Sequence, residues 1–565
     1  MERAGEMKPR FWFWPKLLSD LRGYRKADFF SDLGSGVTVG IVALPLAMAF
    51  GIASGVTPEA GIFTAIVAGF LISALGGSRV QIGGPTGAFV VIVYGIIAKY
   101  GLANLMICTM LAGALLFVMG LARMGTIIRY IPRPVTIGFT NGIAVLIFST
   151  QIKDFLGLPV ENLPAEFFEK IVALGACVTE IHWPTFGVAV LSLALLIFWP
   201  ARWRSRVPGS IVVVILGICL AAWLHLPVET IGSKFGGIPA GLPPFAFPSF
   251  DWHQLPNLIS PAVTIALLAA IESLLSAVVA DGMIDDKHDS NQELMAQGLA
   301  NLVSPLFGGI PATGAIARTA TNVKMGAVSP VSGIIHAVTL LLILLVAAPL
   351  AAFIPLATLS AVLVMVAYNM GEWEAFRLIP KLPGSDTMVL LSTFGLTVMF
   401  DLTIAVEVGM VLAALLFIKR VSDATQVTLL DDNTAREGDY QPVDMSEVPQ
   451  GVLVFRVFGP LMFGAADKLE NVLLHARSEP EVMILRMRKV IAMDTTALHT
   501  LESLHAKLRK RGKHLLLSGA HTQPYLLMQK SGFLDVIGEE NVAGNIHDAL
   551  ARARIILGEA KEPSY

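Results

Sequence analysis

Gly83-Gly84-Pro85-Thr86-Gly87-Ala88 and Gly308-Gly309-Ile310-Pro311-Ala312-Thr313-Gly314-Ala315 are nearly the same phrase written twice. Each opens a short apolar stretch, and the apolar runs between them place the two phrases seven membrane spans apart. An odd separation sends them through a bilayer in opposite directions, as in an inverted repeat whose discontinuous helices meet near the midplane. A helix that starts inside a membrane leaves its first four N–H groups without intrahelical acceptors. It also carries roughly half a positive charge at that end, so two such ends facing one another form an anion site. Gly and Ala admit a ligand close to the backbone, and Thr86 and Thr313 offer hydroxyls to a ligand or as helix caps. Arg318, a little over one turn into the second half-helix, adds a full positive charge or snorkels to cytoplasmic water. A packing kink of small residues explains one copy of the phrase better than two.

Outward from these segments, runs of about 20 apolar residues mark candidate spans. They lie at 33–53, 60–76, 82–98, 104–122, 134–151, 183–200, 208–226, 258–281, 293–308, 311–326, 329–348, 353–370, 385–400 and 402–419, fourteen in all. The chain is 54% apolar and only 15% charged, against roughly 25% charged in soluble domains. The division expected is an N-terminal cytoplasmic segment 1–32, a transport domain 33–420, a linker 421–450 and a soluble domain 451–565. A net charge of −2 lacks the concentrated basic face of a nucleic-acid binder. Cys108, Cys177 and Cys219 form no disulfide framework and no zinc, haem or iron–sulfur spacing, so they read as packing residues. No short apolar leader with a cleavage site opens the chain. Phe11 to Pro15, followed by a basic stretch, suggests an interfacial helix.

Basic residues set the expected orientation. Arg22, Arg25, Lys26, Arg79, Arg123, Arg129, Arg133, Arg202, Arg204, Arg206, Lys287, Arg377, Lys381, Lys419 and Arg420 fall on one side. Only Lys99, Lys153, Lys170 and Lys234 fall on the other, along with Glu161, Glu166, Glu169 and Glu180. Both termini are therefore expected in the cytoplasm. Glu272 sits mid-span in Ala269-Ala270-Ile271-Glu272-Ser273-Leu274-Leu275-Ser276, where a carboxylate costs about 2.5–3.5 kcal/mol and normally has a functional partner. With Ser276 one turn away on the same face, it reads as a proton acceptor, as a sodium ligand, or as the ion-pair partner of Arg318. Glu407 reads as structural, His336 as a satisfied packing histidine, and the charged run Asp281, Asp285, Asp286, Lys287, His288 and Asp289 as a solvated loop.

After Gly451 the pattern changes. Buried strands are expected at Val452–Val457, Val482–Met487 and His514–Ser518, with a helix over Asp494–Arg511 that carries Leu498, Leu501, Leu504 and Leu508 at helical spacing. This implies a small α/β sheet domain. It carries no phosphate loop or nucleophile–base pair, which favours binding or regulation over catalysis.

These residues resemble the SulP/SLC26 anion transporters with a C-terminal STAS domain. The resemblance is carried by Ala43-Leu44-Pro45-Leu46-Ala47-Met48-Ala49-Phe50, by Gly77-Ser78-Arg79, by Gly308–Asn322 with Arg318-Thr319-Ala320-Thr321-Asn322, and by Met493-Asp494-Thr495-Thr496-Ala497-Leu498. It implies fourteen spans as two intertwined seven-span inverted repeats, a mobile core and a gate, elevator-like transport and a homodimer in a bacterial inner membrane. The anion would meet Pro85, Thr86, Gly87 and Ala88 with Thr313, Gly314, Ala315, Ile316, Ala317 and Arg318, backed by the first and eighth spans. Many relatives carry Gln and Tyr where this chain has Leu46 and Phe50, which implies a drier pocket. Glu272 and Ser276 match a carboxylate and hydroxyl around sodium in a bicarbonate-transporting branch. Their replacement of Asp and Thr shifts the expectation to protons, with sodium the alternative and no other cofactor. The wording around Gln151-Ile152-Lys153-Asp154-Phe155-Leu156-Gly157-Leu158 is similar to bacterial members described as C4-dicarboxylate transporters; sulfate and bicarbonate are the rivals. Asp494 and Thr496 match a regulatory loop with a phosphorylated position in free-standing STAS proteins, and a cytoplasmic partner of that domain is implied. An anion-binding sensor or motor without flux is the alternative of another class.

Overall fold

The structure, a computed structural model, describes residues 13–126, 132–160, 163, 164, 166–200, 208–239, 241, 245–249, 252–400, 402–429, 445–462 and 480–559. Phe11, Trp12, Arg129, Glu161, Arg202, Arg204, Arg206, much of the expected linker (430–444) and the side chain of Glu407 lie outside the described residues. The chain divides into two compact units, Met1–Val411 and Leu412–Tyr565.

In the first unit a short α1 (Lys16–Asp20) precedes α2 (Lys26–Ala53), α3 (Pro58–Leu75), α4 (Gly87–Tyr100), α5 (Leu102–Leu121) and α6 (Arg133–Leu156). Then follow the short α7 (Phe167–Ala176), α8 (Trp183–Phe198), α9 (Gly209–Trp223) and the short α10 (Ile231–Phe235). The second half holds α11 (Leu255–Ile284), α12 (Ser290–Val303), α13 (Ile316–Lys324), α14 (Val331–Ala351), α15 (Leu356–Met370), the short α16 (Trp373–Leu378) and α17 (Gly384–Met399), and α18 (Leu402–Ala424) begins in this unit and ends in the second. Every expected span falls on one of these helices. Among the described residues seven stretches are long and apolar enough to cross a membrane. At 1.5 Å per residue, α4 is about 21 Å long and α13 about 14 Å, both short of the roughly 30 Å hydrocarbon core. They are half-helices.

Their starts meet. β1 (Gly83–Gly84) and β2 (Thr313–Gly314) pair antiparallel, Gly83 with Gly314 and Gly84 with Thr313. Around this crossing the helices sort into two groups. α12 packs on α5, α14 on α2 and α3, and α11 on α5 and α13. Separately, α6 packs on α15 and α17, and α8 on α9 and α15. α4 touches both groups, through α5 and α6. Glycines let backbones touch in the first group: a Cβ on Gly61 would stand 1.9 Å from the Ala47 carbonyl oxygen, and one on Gly298 2.5 Å from the Phe117 nitrogen. Cys108 packs in the core, whereas Cys219 is exposed, so it is not the packing residue expected.

Two fully buried carboxylates pin these helices together. Asp32 accepts hydrogen bonds from the Tyr24 hydroxyl (2.7 Å), the Val328 and Ser329 amides (2.8 and 3.2 Å) and the Ser329 hydroxyl (2.5 Å). Glu293 accepts from the Gly77 and Ser78 amides (2.9 and 3.2 Å) and from the Gln297 amide (2.9 Å). The 281–289 run is only partly solvated: Asp285, Lys287 and Asp289 are exposed, but other charges in it find partners. Asp286 pairs with Lys16 (3.1 Å) and Arg79 (3.6 Å), while His288 is buried against Asp281 at 2.7 Å.

The second unit holds a five-stranded sheet in the order β3 (Gln426–Leu429), β4 (Val452–Phe458), β5 (Val482–Lys489), β6 (His514–Ser518), β7 (Val542–Ala543). The first pair is antiparallel and the rest parallel. Period-two alternation serves both faces. Phe455, Val457, Met483 and Leu485 pack with α19 (Thr495–Lys510), α20 (Thr522–Lys530) and α21 (Phe533–Ile537). Val452, Val454, Val482 and Ile484 pack with α22 (Ile546–Ile556). A parallel sheet covered on both faces needs strands this apolar.

Candidate functional site

The crossing of β1 and β2 aims the starts of α4 and α13 at one region. Gly84 can pass close beneath the second segment because its φ of +144° suits glycine, and a Cβ there would meet the Arg318 guanidinium at 2.7 Å. Thr86 is the N-cap residue of α4 and Ala315 that of α13, and neither side chain caps its helix. The amides of the first turns, Gly87–Ala88 and Ile316–Arg318, therefore have no acceptor within their own helices. Ile316 and Ala317 are exposed, Ala315 is buried and Thr86 is half-buried. Gly87 faces Phe50 of α2, and also Ile147 of α6 and Met370 of α15: a Cβ at Gly87 would lie 3.4, 3.1 and 3.5 Å from them. Leu46 lies half-buried on the same helix as Phe50.

α11 holds the crossing along a single stripe. Residues 269, 272, 273 and 276 share one helical face, and each engages it. The Thr313 hydroxyl donates to the Ala269 carbonyl (2.9 Å), and the Thr86 hydroxyl to a Glu272 oxygen (2.9 Å). The Gln81 amide donates to the Ser273 carbonyl (3.0 Å), and the Ser276 hydroxyl to Thr319 (3.1 Å), which also accepts from the Ile82 amide (3.0 Å). The carboxylate that stood out in the sequence is thus bonded directly to the N-cap residue of α4.

Several expected side-chain roles change. Arg318 does not snorkel: it is 4% exposed, lies beneath the Gly84–Pro85 turn, and donates through one nitrogen to the Pro85 carbonyl. Its other terminal nitrogen is buried without a hydrogen-bond partner among the described residues. It makes no ion pair with Glu272 there; the partner of Glu272 is Thr86. Thr313 and Gly314 are fully buried behind the crossing rather than open to a ligand. Ser276 spends its hydroxyl on Thr319 instead of joining Glu272. His336 is completely buried, but neither ring nitrogen has a partner among the described residues, so it packs without being satisfied. In the second unit Asp494 caps α19 through the Ala497 amide (2.8 Å), and Thr496 stands exposed in its first turn.

Gln81, Thr319, Ile147 and Met370 were missed in the sequence. Gln81 and Thr319 flank the repeated phrase and are polar residues in apolar surroundings, which is a usable signal. Ile147 and Met370 look like any apolar span residue, and only tertiary contact reveals them.

Residues 29–393 match the Sulfate permease family and residues 445–552 the STAS domain. The putative sulfate transporter YvdB of Bacillus subtilis is 44% identical over 532 residues, 92% of this chain and 97% of its own. The bicarbonate transporter BicA of Synechocystis is 30% identical over 545 residues, 93% of this chain and 94% of its own. Among solved structures, the transmembrane domain of a cyanobacterium bicarbonate transporter BicA aligns with a TM-score of 0.62 at 30% identity, over 69% of this chain and 98% of that one. The murine Slc26a9 anion transporter in the inward-facing state aligns with a TM-score of 0.86 over 98% of this chain and 96% of that one; at 18% identity this is a likeness of fold.

Proposed function

This chain belongs to the sulfate permease (SulP/SLC26) family of anion transporters, and from that premise we propose that it is a secondary active, proton-coupled transporter of a small dianion. The anion is held between the starts of α4 and α13, and the α2–α5 and α11–α14 group moves as an elevator against the other. The observation that carries this reading is the 2.9 Å bond from Thr86 to Glu272.

The electrostatics give the coupling its sign. Two helix ends contribute about half a positive charge each and Arg318 one more, so about two positive charges surround the gap. A protonated Glu272 leaves that balance for a dianion. An ionised Glu272 roughly halves it and accepts the one hydrogen bond the Thr86 hydroxyl can donate, leaving none for the anion. Proton and dianion therefore strengthen one another's binding, a reciprocal coupling that favours their moving together.

The C4-dicarboxylate reading rests on the wording of the spans. Sulfate, another dianion, is favoured by the name of the 44% identical relative. Sodium-coupled bicarbonate transport and exchange remain the alternatives, and a homodimer in the bacterial inner membrane with cytoplasmic termini is part of the proposal. Uptake of labelled succinate, fumarate, sulfate and bicarbonate into proteoliposomes tests it, each with an inward proton gradient, an inward sodium gradient, or neither. Accumulation of a dianion on the proton gradient alone is the expected result. Accumulation of bicarbonate on sodium alone would overturn both the ion and the substrate class.

A further inference from the structure

Tyr94 stands two turns along α4 from the candidate anion site, and the chain between α6 and α8 grips it twice. Its hydroxyl donates to the Leu163 carbonyl at 2.5 Å. Its ring lies 6.0 Å from the ammonium of Lys170 on α7. Lys170 is 1% exposed, and among the described residues no carboxylate lies within ion-pair distance of it. A buried ammonium over an aromatic face is stabilised most where water is excluded. Behind the ring, Gly55 in the α2–α3 turn approaches so closely that a Cβ would stand 3.1 Å from Tyr94.

The contact ties the crossing to the second helix group: Gly55 and α4 connect to the crossing, α4 also touches α6, and α7 packs on α6 and α17. Tyr94 and Leu163 also line a cavity of about 560 Å³ with Ala60, Phe63, Asp154 and Lys234, at the end of the helices where α2 and α6 finish.

We propose that Tyr94 is a positioning residue for transport: its bonds to Leu163 and Lys170 latch the anion-bearing half-helix to the α6–α17 group and set how often the core moves. This rests on the elevator reading above. α4 is one rigid rod, and seven residues separate Tyr94 from Gly87, about 10 Å of helix. A core shift of a few ångströms along α4 carries Tyr94 the same distance and takes the contact beyond the roughly 2.5–3.0 Å range of an O–H···O hydrogen bond. The latch must open in every cycle.

The test uses the full-length protein in proteoliposomes, with Cys108, Cys177 and Cys219 replaced by alanine and Ala60→Cys as a reporter in the cavity. Labelling by an impermeant maleimide and sulfate and succinate counterflow are compared in Tyr94→Phe, which removes only the hydroxyl, and in Lys170→Met, which keeps the stem and removes the charge. The expected result is faster labelling and a maximal counterflow rate raised about fivefold in Tyr94→Phe, the factor carried by a net hydrogen bond of about 1 kcal/mol. Half-saturating anion concentration stays within about twofold, since the anion contacts are untouched, and Lys170→Met moves in the same direction. Wild-type labelling that responds to saturating anion, with both variants unchanged or slower, overturns the latch alone. Wild-type labelling that ignores anion and counterflow overturns the moving core, and the latch with it.

Discussion

At the scale of single residues, the partner of Glu272 decides what the carboxylate can do. An ion pair with Arg318 would have made it a structural counter-charge. Bonded instead to Thr86 at the head of α4, it lies at the N-terminus proposed to hold the anion. Glu272→Gln keeps the shape and a hydrogen-bonding amide but cannot exchange a proton, so it should retain anion counterflow and lose proton-driven accumulation. Arg318→Ala removes a buried charge and the bond to the Pro85 carbonyl. Hydrogen bonds to charged groups are worth about 1.5–3 kcal/mol, so anion affinity should fall by about tenfold or more in a binding titration on folded, monodisperse protein. An unchanged affinity removes Arg318 from the site. That Glu272 and Arg318 stand out was legible because charge is conspicuous in an apolar span. Their partners were not, since Thr86 lies 186 residues from Glu272 and only folding brings the two together.

At the scale of elements, the helices were the most legible feature. Each expected span falls on a helix because apolar length is a local property, and the half-helix starts were readable because the phrase at Gly83 recurs at Gly308. The staples between elements were hidden for the opposite reason. Asp32 looks like an ordinary flanking charge, yet it closes a four-donor cage built partly from Val328 and Ser329, and Glu293 binds the turn at Gly77 and Ser78. The close approach of α5 and α12 was also hidden: Gly113 and Gly298 face one another, and a Cβ on either would stand within 2.7 Å of the other's carbonyl oxygen. Backbone cannot yield there. Gly298→Leu should lower stability by about 1–3 kcal/mol or more, read as a drop in the melting temperature of the detergent-solubilised protein; an unchanged melting temperature would mean that α5 and α12 separate at no cost. Gly282, whose Cβ would meet nothing within 4 Å, supplies the control in Gly282→Ala.

At the scale of the whole molecule, the candidate anion site, Glu272 and the Tyr94 contact all lie in the first unit, so removing residues after about 435 should change rate or assembly and leave the order of preferred anions intact. A changed order of preference in uptake competition would place part of the selectivity in the second unit. The wider architecture was visible in outline from the break in charge after Arg420 and from the strand–helix alternation beyond Gly451. A core and a gate were implied only by the family resemblance, and which spans join which group was not legible, because it depends on which helix faces meet. The most direct test of the central claim is to measure sulfate and succinate accumulation by wild type and Glu272→Gln side by side in proteoliposomes, with an inward proton gradient and with none. A proton-coupled dianion site predicts gradient-driven accumulation in the wild type alone, with counterflow preserved in both. Equal accumulation by the two proteins, with or without the gradient, would contradict it.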